Sequence, residues 1–429
     1  MRVQTFSFRL AILALVLFTT GATGSDGPVA SPEKDWPQWR GPRRDGVSTE
    51  TALLKCWPTE GPPLLWKIDG IGQGWSSPIV VGESIYITGD KDGEVHIHCL
   101  DLQGKTKWTA KNGGAWMQNY PGSRACCAFS EGFLYHLNAY GRLAAFEADS
   151  GKEVWNVPNI LQEFESKNIT WGLSECPLVD GPNLIISPSG PKAMLVALDK
   201  KTGKLRWCSE SLPGDRASYA SPIMAQIANR RVIIGLTSHH GYGVDADTGT
   251  LLWSVAVRNN WGATSCSPVY HDGAVFYAAP DGAPGTLYRV NPISPQGAPE
   301  PLWRSHVEPL NGGALYKDGI LYTNGCKKTR ALHAIDWKTG ESRYELELSS
   351  PTNNHATGAL LWADQQLYAL FENGILALLR PTADHFEING HVKLFDASKS
   401  DAWAHPVLLN GRLYLRYHDS LWCFDVKQP

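Results

Sequence analysis

The sequence predicts an all-β fold, an eight-bladed β-propeller of four-stranded blades, from three observations. The 429 residues include 42 Gly and 17 Trp but only 4 Met, a bias typical of short strands, tight turns and repeated aromatic packing. A hairpin motif that ends in a large aromatic residue recurs along the chain. A strand start marked by Pro or Ala precedes each hairpin at a fixed spacing, and such a period is typical of propellers.

Composition and charge exclude several classes of protein. The chain carries 39 Lys and Arg against 42 Asp and Glu, a net charge of −3, and 43% of its residues are hydrophobic. A disordered acidic chain and an all-round basic nucleic-acid-binding protein are both excluded, so no nucleic-acid partner is expected. The length alone suggests about two or three domains. The repeat favours one domain, with two domains as the alternative.

The hairpin motif has a physical explanation. Its clearest copy is ALDKKTGKLRW, and other copies keep the same frame at residues 145–155, 243–253 and 334–344. A further copy at residues 100–108 is one residue shorter in the turn. An apolar strand ends in Asp, a Gly supplies the turn residue with positive φ, and a second strand ends on Trp or Tyr.

The strand starts give the blade count. They recur 45 to 50 residues apart, at Pro78, Ala128, Pro177, Pro222, Pro268, Ala314, Ala359 and Pro406. Each unit therefore holds two hairpins, or four strands. The eighth unit runs out of chain after residue 425, whereas the segment around residues 64–68 resembles the end of a repeat without a beginning. We expect this N-terminal strand to complete the C-terminal blade and close the ring, because closure removes free sheet edges.

The first 24 residues are expected to be a secretory signal peptide. Arg2 and Arg9 precede a nine-residue apolar run at 10–18, and the small residues Ala22 and Gly24 precede a cut before Ser25. A membrane span needs about 20 apolar residues, so an uncleaved anchor is the weaker alternative. Residues 25–59 are predicted to be an N-terminal extension and residues 60–429 the propeller. The protein is expected to be periplasmic or extracellular, without a lipid-modified Cys and without a stable membrane span.

The hairpin motif resembles the tryptophan-docking repeat of the pyrroloquinoline-quinone (PQQ)-like propellers. The resemblance covers roughly residues 60–427, and the opening DWPQWRGP at 35–42 resembles secreted bacterial members. It implies that the terminal indoles pack between adjacent blades, at Trp66, Trp108, Trp155, Trp207, Trp253 and Trp303. The resemblance is specific for fold and not for function, because the family includes quinone dehydrogenases, outer-membrane assembly lipoproteins and uncharacterised exported proteins.

Cys126 and Cys127 are adjacent, and PQQ alcohol dehydrogenases carry a vicinal disulfide over the cofactor. The resemblance therefore makes Cys126 and Cys127 candidate cofactor contacts. The alternative is that two small residues occupy a packed strand. The chain has nine Cys, an odd number, so at least one is a free thiol or pairs between chains.

Loops that enter the innermost strands share one face with the second-to-third-strand loops. On that face we place a candidate binding surface, formed by Trp75, Arg124, Trp171, Glu175, Tyr219, Trp261, Asn311, Asn354, His355, Trp403 and His405, with His239 and His240 on a neighbouring turn. The mixture of aromatic, amide and basic groups suits a planar or glycan-like ligand, although capping of the channel would explain any one residue. The adjacent pair of His is interpreted as a turn, and no metal site is predicted.

A PQQ dehydrogenase needs a bound calcium ion and a carboxylate base, and Glu175 is the weak candidate for that base. The chain is also considerably shorter than those dehydrogenases. The leading hypothesis is therefore an exported binding or scaffold protein that presents its loop-rich face to a protein partner or a carbohydrate. One alternative is a PQQ- and calcium-dependent alcohol or sugar dehydrogenase, whose candidate cofactor contacts would be Arg124, Cys126, Cys127, Trp171, Trp261, Trp403 and His355. The other is a factor of the outer-membrane assembly type.

Overall fold

The chain forms eight four-stranded antiparallel sheets arranged as the blades of a propeller. The computed structural model describes residues 33–291, 298–326, 330–347, 357–396 and 401–429. The predicted signal peptide lies outside the described residues. None of the described helices has the length and hydropathy to span a bilayer.

Blades 1 to 4 follow one another along the chain, each running from the innermost to the outermost strand. Blade 1 comprises β2 (Ile79–Val81), β3 (Ser84–Lys91), β4 (Glu94–Leu100) and β5 (Thr106–Gly114). Blade 2 comprises β6 (Ala128–Ser130), β7 (Phe133–Leu137), β8 (Leu143–Glu147) and β9 (Glu153–Val157). A single-turn helix, α1 (Ile160–Glu163), follows. Blade 3 comprises β10 (Leu178–Asp180), β11 (Asn183–Ile186), β12 (Val196–Asp199) and β13 (Leu205–Cys208). Blade 4 comprises β14 (Ile223–Ile227), β15 (Arg230–Leu236), β16 (His240–Asp245) and β17 (Leu251–Ala256).

Blades 5 to 8 complete the ring. Blade 5 comprises β18 (Val269–His271), β19 (Ala274–Ala279), β20 (Ala283–Arg289) and β21 (Glu300–Arg304). Blade 6 comprises β22 (Pro309–Lys317), β23 (Ile320–Gly325), β24 (Leu332–Asp336) and β25 (Ser342–Leu346). Blade 7 comprises β26 (Gly358–Ala363), β27 (Gln366–Phe371), β28 (Ile375–Pro381) and β29 (Phe386–Lys393). Blade 8 comprises β30 (Val407–Leu409), β31 (Arg412–Tyr417), β32 (Ser420–Asp425) and the N-terminal β1 (Leu64–Ile68).

The N-terminal strand closes the ring, as the sequence predicts. β1 pairs antiparallel with β32, with Ile68 opposite Leu421. The eight-bladed propeller and its closure are therefore confirmed. A buried arginine reinforces the seam between blades 8 and 1. Arg416 is 0% exposed and donates to the carbonyls of Gly72, Ser76 and His418 at 3.0, 3.1 and 2.8 Å.

The docking indoles join neighbouring blades through the turn glycines. Trp108 of blade 1 packs on Gly151 of blade 2 and donates its indole N–H to the Ala148 carbonyl at 3.1 Å. Trp155 of blade 2 likewise packs on Gly203 of blade 3 and donates its indole N–H to the Lys200 carbonyl at 3.0 Å. The turn residue must therefore be Gly for two reasons, its positive φ and its contact with the ring of the preceding blade.

The N-terminal segment fills the axial channel. Trp36 is 0% exposed and exchanges backbone hydrogen bonds of 2.7 and 3.0 Å with Val80 of the innermost strand β2. The amide of Ser48 then donates to the carbonyl of Trp362 in blade 7 at 2.8 Å. Residues 36–48 therefore cross the channel and return to the face of the first-to-second-strand turns. We call this segment the plug.

Two buried guanidiniums anchor the plug to the ring. Arg40 donates to the Ala314 carbonyl of blade 6 at 2.7 Å. Arg44 donates to the carbonyls of Cys176 and Pro177, at the start of blade 3, at 2.9 and 3.0 Å. Burial lowers the pKa of both arginines, yet neutral backbone oxygens are their main partners. The plug therefore supplies donors to carbonyls that line the channel and that neighbouring strands leave unpaired.

A belt of side-chain acceptors connects the starts of the innermost strands. The Ser77 amide donates to Cys126 Sγ at 3.2 Å, and the Cys126 amide donates to Cys176 Sγ at 3.1 Å. The Cys176 amide continues the belt to Ser221 Oγ at 2.9 Å, and the Ser221 amide to Ser267 Oγ at 3.1 Å. Blades 2 to 5 therefore each satisfy a backbone N–H of the blade before them, which ties these blades together around the axis.

The docking contact predicts the outcome of a matched pair of substitutions in blade 2. An added Cβ at Gly151, where φ is +71°, would lie 2.5 Å from the Trp108 ring. At Gly132, where φ is +83°, it would meet nothing within 4 Å. We expect Gly132→Ala to cost about 1–2 kcal/mol through backbone strain alone, and Gly151→Ala to cost about 1–3 kcal/mol more because of the clash. Urea unfolding of the two variants measures the difference, and equal losses would contradict the docking role.

Candidate functional site: an aromatic cavity at the open end of the channel

The channel opens on the face where the innermost strands begin, as a cavity of about 320 Å³. Aromatic rings dominate its wall, contributed by Trp39, Trp75, Tyr120, Trp171, Tyr219, Trp261 and Trp403. The plug occupies the same channel from the other face. The cavity is therefore closed below by the chain's own N-terminal segment and open to solvent above.

Strand alternation selects the residues that face the axis. Side chains two residues apart point to the same side of an extended segment. The belt residues and His405 line the cavity together with the residues two positions before them, in the pairs Trp75 and Ser77, Arg124 and Cys126, Ser174 and Cys176, Tyr219 and Ser221, Ser265 and Ser267, and Trp403 and His405. This alternation brings side chains from six blades into one cavity.

The rings on one side of the cavity form a compact group. Trp75 lies 5.2 Å from Trp403, and Tyr120 lies 5.4 Å from Trp403, measured between ring centroids. The buried carboxylate of Glu372 fixes the orientation of Trp403 by accepting its indole N–H at 2.7 Å. Because one ring edge is held in this way, the faces of these rings are pre-organised for stacking.

The opposite side of the cavity is more exposed. Trp171 packs on Tyr219 with centroids 5.6 Å apart, and the Trp171 amide donates to the Tyr219 hydroxyl at 3.2 Å. Trp261 follows at the mouth with 71% of its surface exposed. An indole this exposed gains little from folding, and such residues are characteristic of binding surfaces.

The floor is built by Trp39 of the plug and by His405. Their rings meet edge to face with centroids 5.2 Å apart. Burial, together with nearby Arg40, lowers the pKa of His405 to about 3, so the imidazole is neutral. His405 Nε2 lies 3.2 Å from the carbonyl oxygen of Asn311, which only accepts. The proton therefore lies on Nε2, and Nδ1 is an acceptor at the base of the cavity.

Three residues of the wall keep a buried polar atom that no described residue satisfies. These atoms are Trp75 Nε1, Ser265 Oγ and His405 Nδ1. The first is a donor, the second is both donor and acceptor, and the third is an acceptor. Buried polar groups are normally paired, so unpaired groups in a cavity wall are candidates to meet a ligand. The combination suits a neutral ligand that carries hydroxyl groups.

Arg124 organises the rim. Its guanidinium lies over the rings of Trp75 and Trp116, 5.1 and 5.5 Å from the centroids. It donates to the carbonyls of Gly122 and Tyr120 at 2.5 and 2.6 Å, which fixes the loop that presents the Tyr120 ring. Most of its donors are thus used by its own loop.

Because side chains alternate along a strand, Cys126 and Cys127 point to opposite sides. Cys126 lines the cavity, whereas Cys127 is buried in the core shared with the neighbouring blades, where burial raises the pKa of its thiol. Cys126 and Cys127 are both free thiols, so they form no disulfide in this structure.

Glu175 does not line the cavity. It is 2% exposed and accepts hydrogen bonds from the Ser187 amide at 3.2 and 3.1 Å and from the Ser187 hydroxyl at 3.2 Å. It lies one residue before the belt residue Cys176, so alternation turns it into blade 3.

His355 and Asn354 lie outside the described residues. His239 and His240 line side cavities next to the main one.

Sequence reasoning missed Trp39, Tyr120 and the serines of the wall. Ser174 and Ser265 could have been found by applying the two-residue alternation to the strand starts. Trp39 could not, because its place depends on the plug entering the channel from the opposite face.

The buried carboxyl of Glu175 predicts a pH dependence of stability. Burial raises its pKa to about 8, against the bonds from Ser187 and the charge of Arg44. A carboxyl that is easier to protonate when folded stabilises the protein at low pH, and this contribution is lost as the pH rises from about 4.5 to about 8. Glu175→Gln keeps an acceptor and removes the titration. We expect the unfolding free energy of the variant to rise, relative to that of wild type, by a few kcal/mol between pH 5 and pH 8. Denaturant titrations of both proteins at each pH measure this difference. The exposed Glu210→Gln is the control, and parallel pH profiles for wild type and Glu175→Gln would refute the assignment.

Comparison with known proteins agrees with the fold. A family model described as outer membrane protein assembly factor BamB, a PQQ-repeat model, matches residues 91–285. The quinohemoprotein alcohol dehydrogenase ADH IIB of Pseudomonas putida is 30% identical over 158 residues, which cover 33% of this chain and 21% of that protein. The chain thus matches about a fifth of the length of this relative.

Solved structures show the same architecture at low identity. A europium-containing methanol dehydrogenase superposes with a TM-score of 0.65 at 13% identity, covering 89% of each chain. BamB from Moraxella catarrhalis superposes with a TM-score of 0.54 at 15% identity, covering 85% of this chain and 98% of BamB. At these identities the likeness concerns the fold alone. Together with the repeat and its docked indoles, the sequence matches support a PQQ-like β-propeller.

Proposed function

We propose that this propeller is an exported carbohydrate-binding protein and that the aromatic cavity is its binding site. The observation that carries the proposal is the convergence of five indoles and two phenols on one cavity whose unpaired polar atoms are neutral. Aromatic faces stack on the apolar faces of sugar rings, and a few placed donors and acceptors fix the orientation of a ligand.

The polar groups support a hydroxylated ligand in particular. A sugar hydroxyl both donates and accepts, so it can pair with the Trp75 indole N–H and with the bare Nδ1 of His405. Arg124 uses its donors on loop carbonyls, and Glu372 is occupied by Trp403 and Thr357. A neutral saccharide therefore suits the cavity better than a multiply charged ligand does.

A quinone dehydrogenase is the second candidate, on the ground of sequence similarity to such enzymes. The residues present do not fit its calcium ion. In the parts of the chain that the structure describes, no three His, Cys, Asp or Glu side chains converge as metal ligands. Glu175 lies behind the wall, and Asp281 is the acidic side chain of the described cavity lining. We therefore assign no step to PQQ or calcium. The third candidate, an assembly role resembling that of BamB, has the fold as its support.

The proposal predicts saturable binding of neutral oligosaccharides. The probes are tetrasaccharides of glucose, mannose, galactose and N-acetylglucosamine, titrated while indole fluorescence and heat are recorded. Trp261→Ala removes a ring that is 71% exposed, so folding should be unaffected while the affinity for the bound sugar falls about tenfold. Leu205→Ala, which removes an apolar side chain 53% exposed on the outer strand of blade 3, is the matched control.

Separate outcomes identify the rivals. Equal affinities of wild type and Trp261→Ala for the same sugar would place binding elsewhere on the protein. Failure to bind any of the sugars, combined with a quinone absorption band and dye reduction with alcohols after addition of PQQ and Ca²⁺, would replace the proposal by the dehydrogenase.

A further inference from the structure

A second cavity of about 310 Å³ lies beside the aromatic cavity. Tyr219 and Trp261 line both, so one wall is shared. The rest of the lining differs in character, because it includes Arg216, Ser238, His239, Asn260 and Thr170. A ligand that stacks on Trp261 can therefore extend from aromatic surroundings into polar ones. We call this second cavity the side cavity.

Loops of blades 4 and 5 hold the side cavity in shape. The Ser238 amide donates to the Arg216 carbonyl, and the Arg216 amide donates to Ser238 Oγ, both at 3.0 Å. The Asn259 side chain accepts from the Trp261 amide at 3.1 Å and from the Ala263 amide at 2.9 Å. These bonds fix the backbones that carry the guanidinium and the shared indole.

The guanidinium of Arg216 is available to a ligand. It is exposed and makes no hydrogen bond or ion pair with any described side chain. The adjacent carboxylate of Asp215 is already used, because it accepts from His240 Nδ1 at 2.9 Å and from the Thr237 hydroxyl, and its side chain is 4% exposed. His239 adds a buried Nδ1 that has no partner among the described residues.

Positive charge reaches the shared wall from both sides. Burial raises the pKa of Tyr219, and the charges of Arg124 and Arg216 act in the opposite direction. Asp281 is the acidic residue in the described lining of the two cavities, and it lines the aromatic cavity and not the side cavity. The carboxylate of Glu308 is bound to the loop that carries Asp281, because it accepts hydrogen bonds from the amides of Asp281 and Gly282 at 2.9 and 3.1 Å. Among the residues that the structure describes, the lining of the side cavity therefore includes a cation without a paired side chain and includes no carboxylate.

We propose that the side cavity is an anion subsite that selects acidic saccharides. It would bind the carboxylate or sulfate of one sugar unit through Arg216 and His239, while the next unit stacks in the aromatic cavity. Arg presents a planar fork of donors that matches both oxyanions. This inference rests on the proposed function and names the class of saccharide.

The test compares an acidic oligosaccharide with its neutral form. A galactose trisaccharide that ends in a single galacturonic acid and the methyl ester of the same compound differ by one charge and little in shape, and a galactose trisaccharide with one sulfate provides the second oxyanion. We expect the preferred acid to bind about tenfold more tightly than its neutral counterpart, and the advantage to shrink as salt is raised. Arg216→Gln should abolish the advantage, because it should weaken binding of the acid about tenfold and binding of the neutral form by much less.

Arg258→Gln is the matched control. Arg258 is an exposed arginine on the same rim that lines a neighbouring cavity and not the side cavity. It should leave the affinities for acid and ester unchanged. Equal binding of acidic and neutral forms by wild type, or an equal loss for both forms in Arg216→Gln, would overturn the subsite and leave the proposed function standing. Failure of every form to bind would overturn both.

Discussion

The structure depends on how an eight-bladed ring satisfies the backbone groups that face its axis. The innermost strands have no neighbour on the channel side, so their amides and carbonyls need other partners. The chain provides two sets. A belt of Ser and Cys side chains passes hydrogen bonds from blade to blade, and the plug brings Arg40 and Arg44 to carbonyls of distant blades. The plug therefore closes the channel from one face and leaves a cavity at the other.

The closure of the channel and the shape of the aromatic cavity thus both follow from the position of the plug. Trp39 belongs to the plug and forms the floor of the aromatic cavity, where it meets His405. The same buried Arg40 that anchors the plug helps to keep the His405 ring neutral. A structural element thereby determines the depth of the cavity and the hydrogen-bonding character of its base.

Much of this was predictable from the sequence, because repeat period, turn glycines and docking indoles are local signals. These signals predicted the eight blades, the closure of the ring and the face that carries Trp75, Trp171, Trp261 and Trp403. Other features depend on which way a side chain points. Glu175 and Cys127 precede or follow cavity positions by one residue, and one residue of alternation turns them into the blades. The position of Trp39 is a long-range effect that follows from the plug as a whole and has no local signal.

A structure determined with a bound neutral oligosaccharide tests the central claim most directly. We expect one sugar ring stacked between the Trp75 and Trp403 pair and Trp261, above Trp39, with a hydroxyl within hydrogen-bonding distance of His405 Nδ1. A sugar that binds in solution but is found on the outer strands, with the aromatic cavity filled by water, would contradict it.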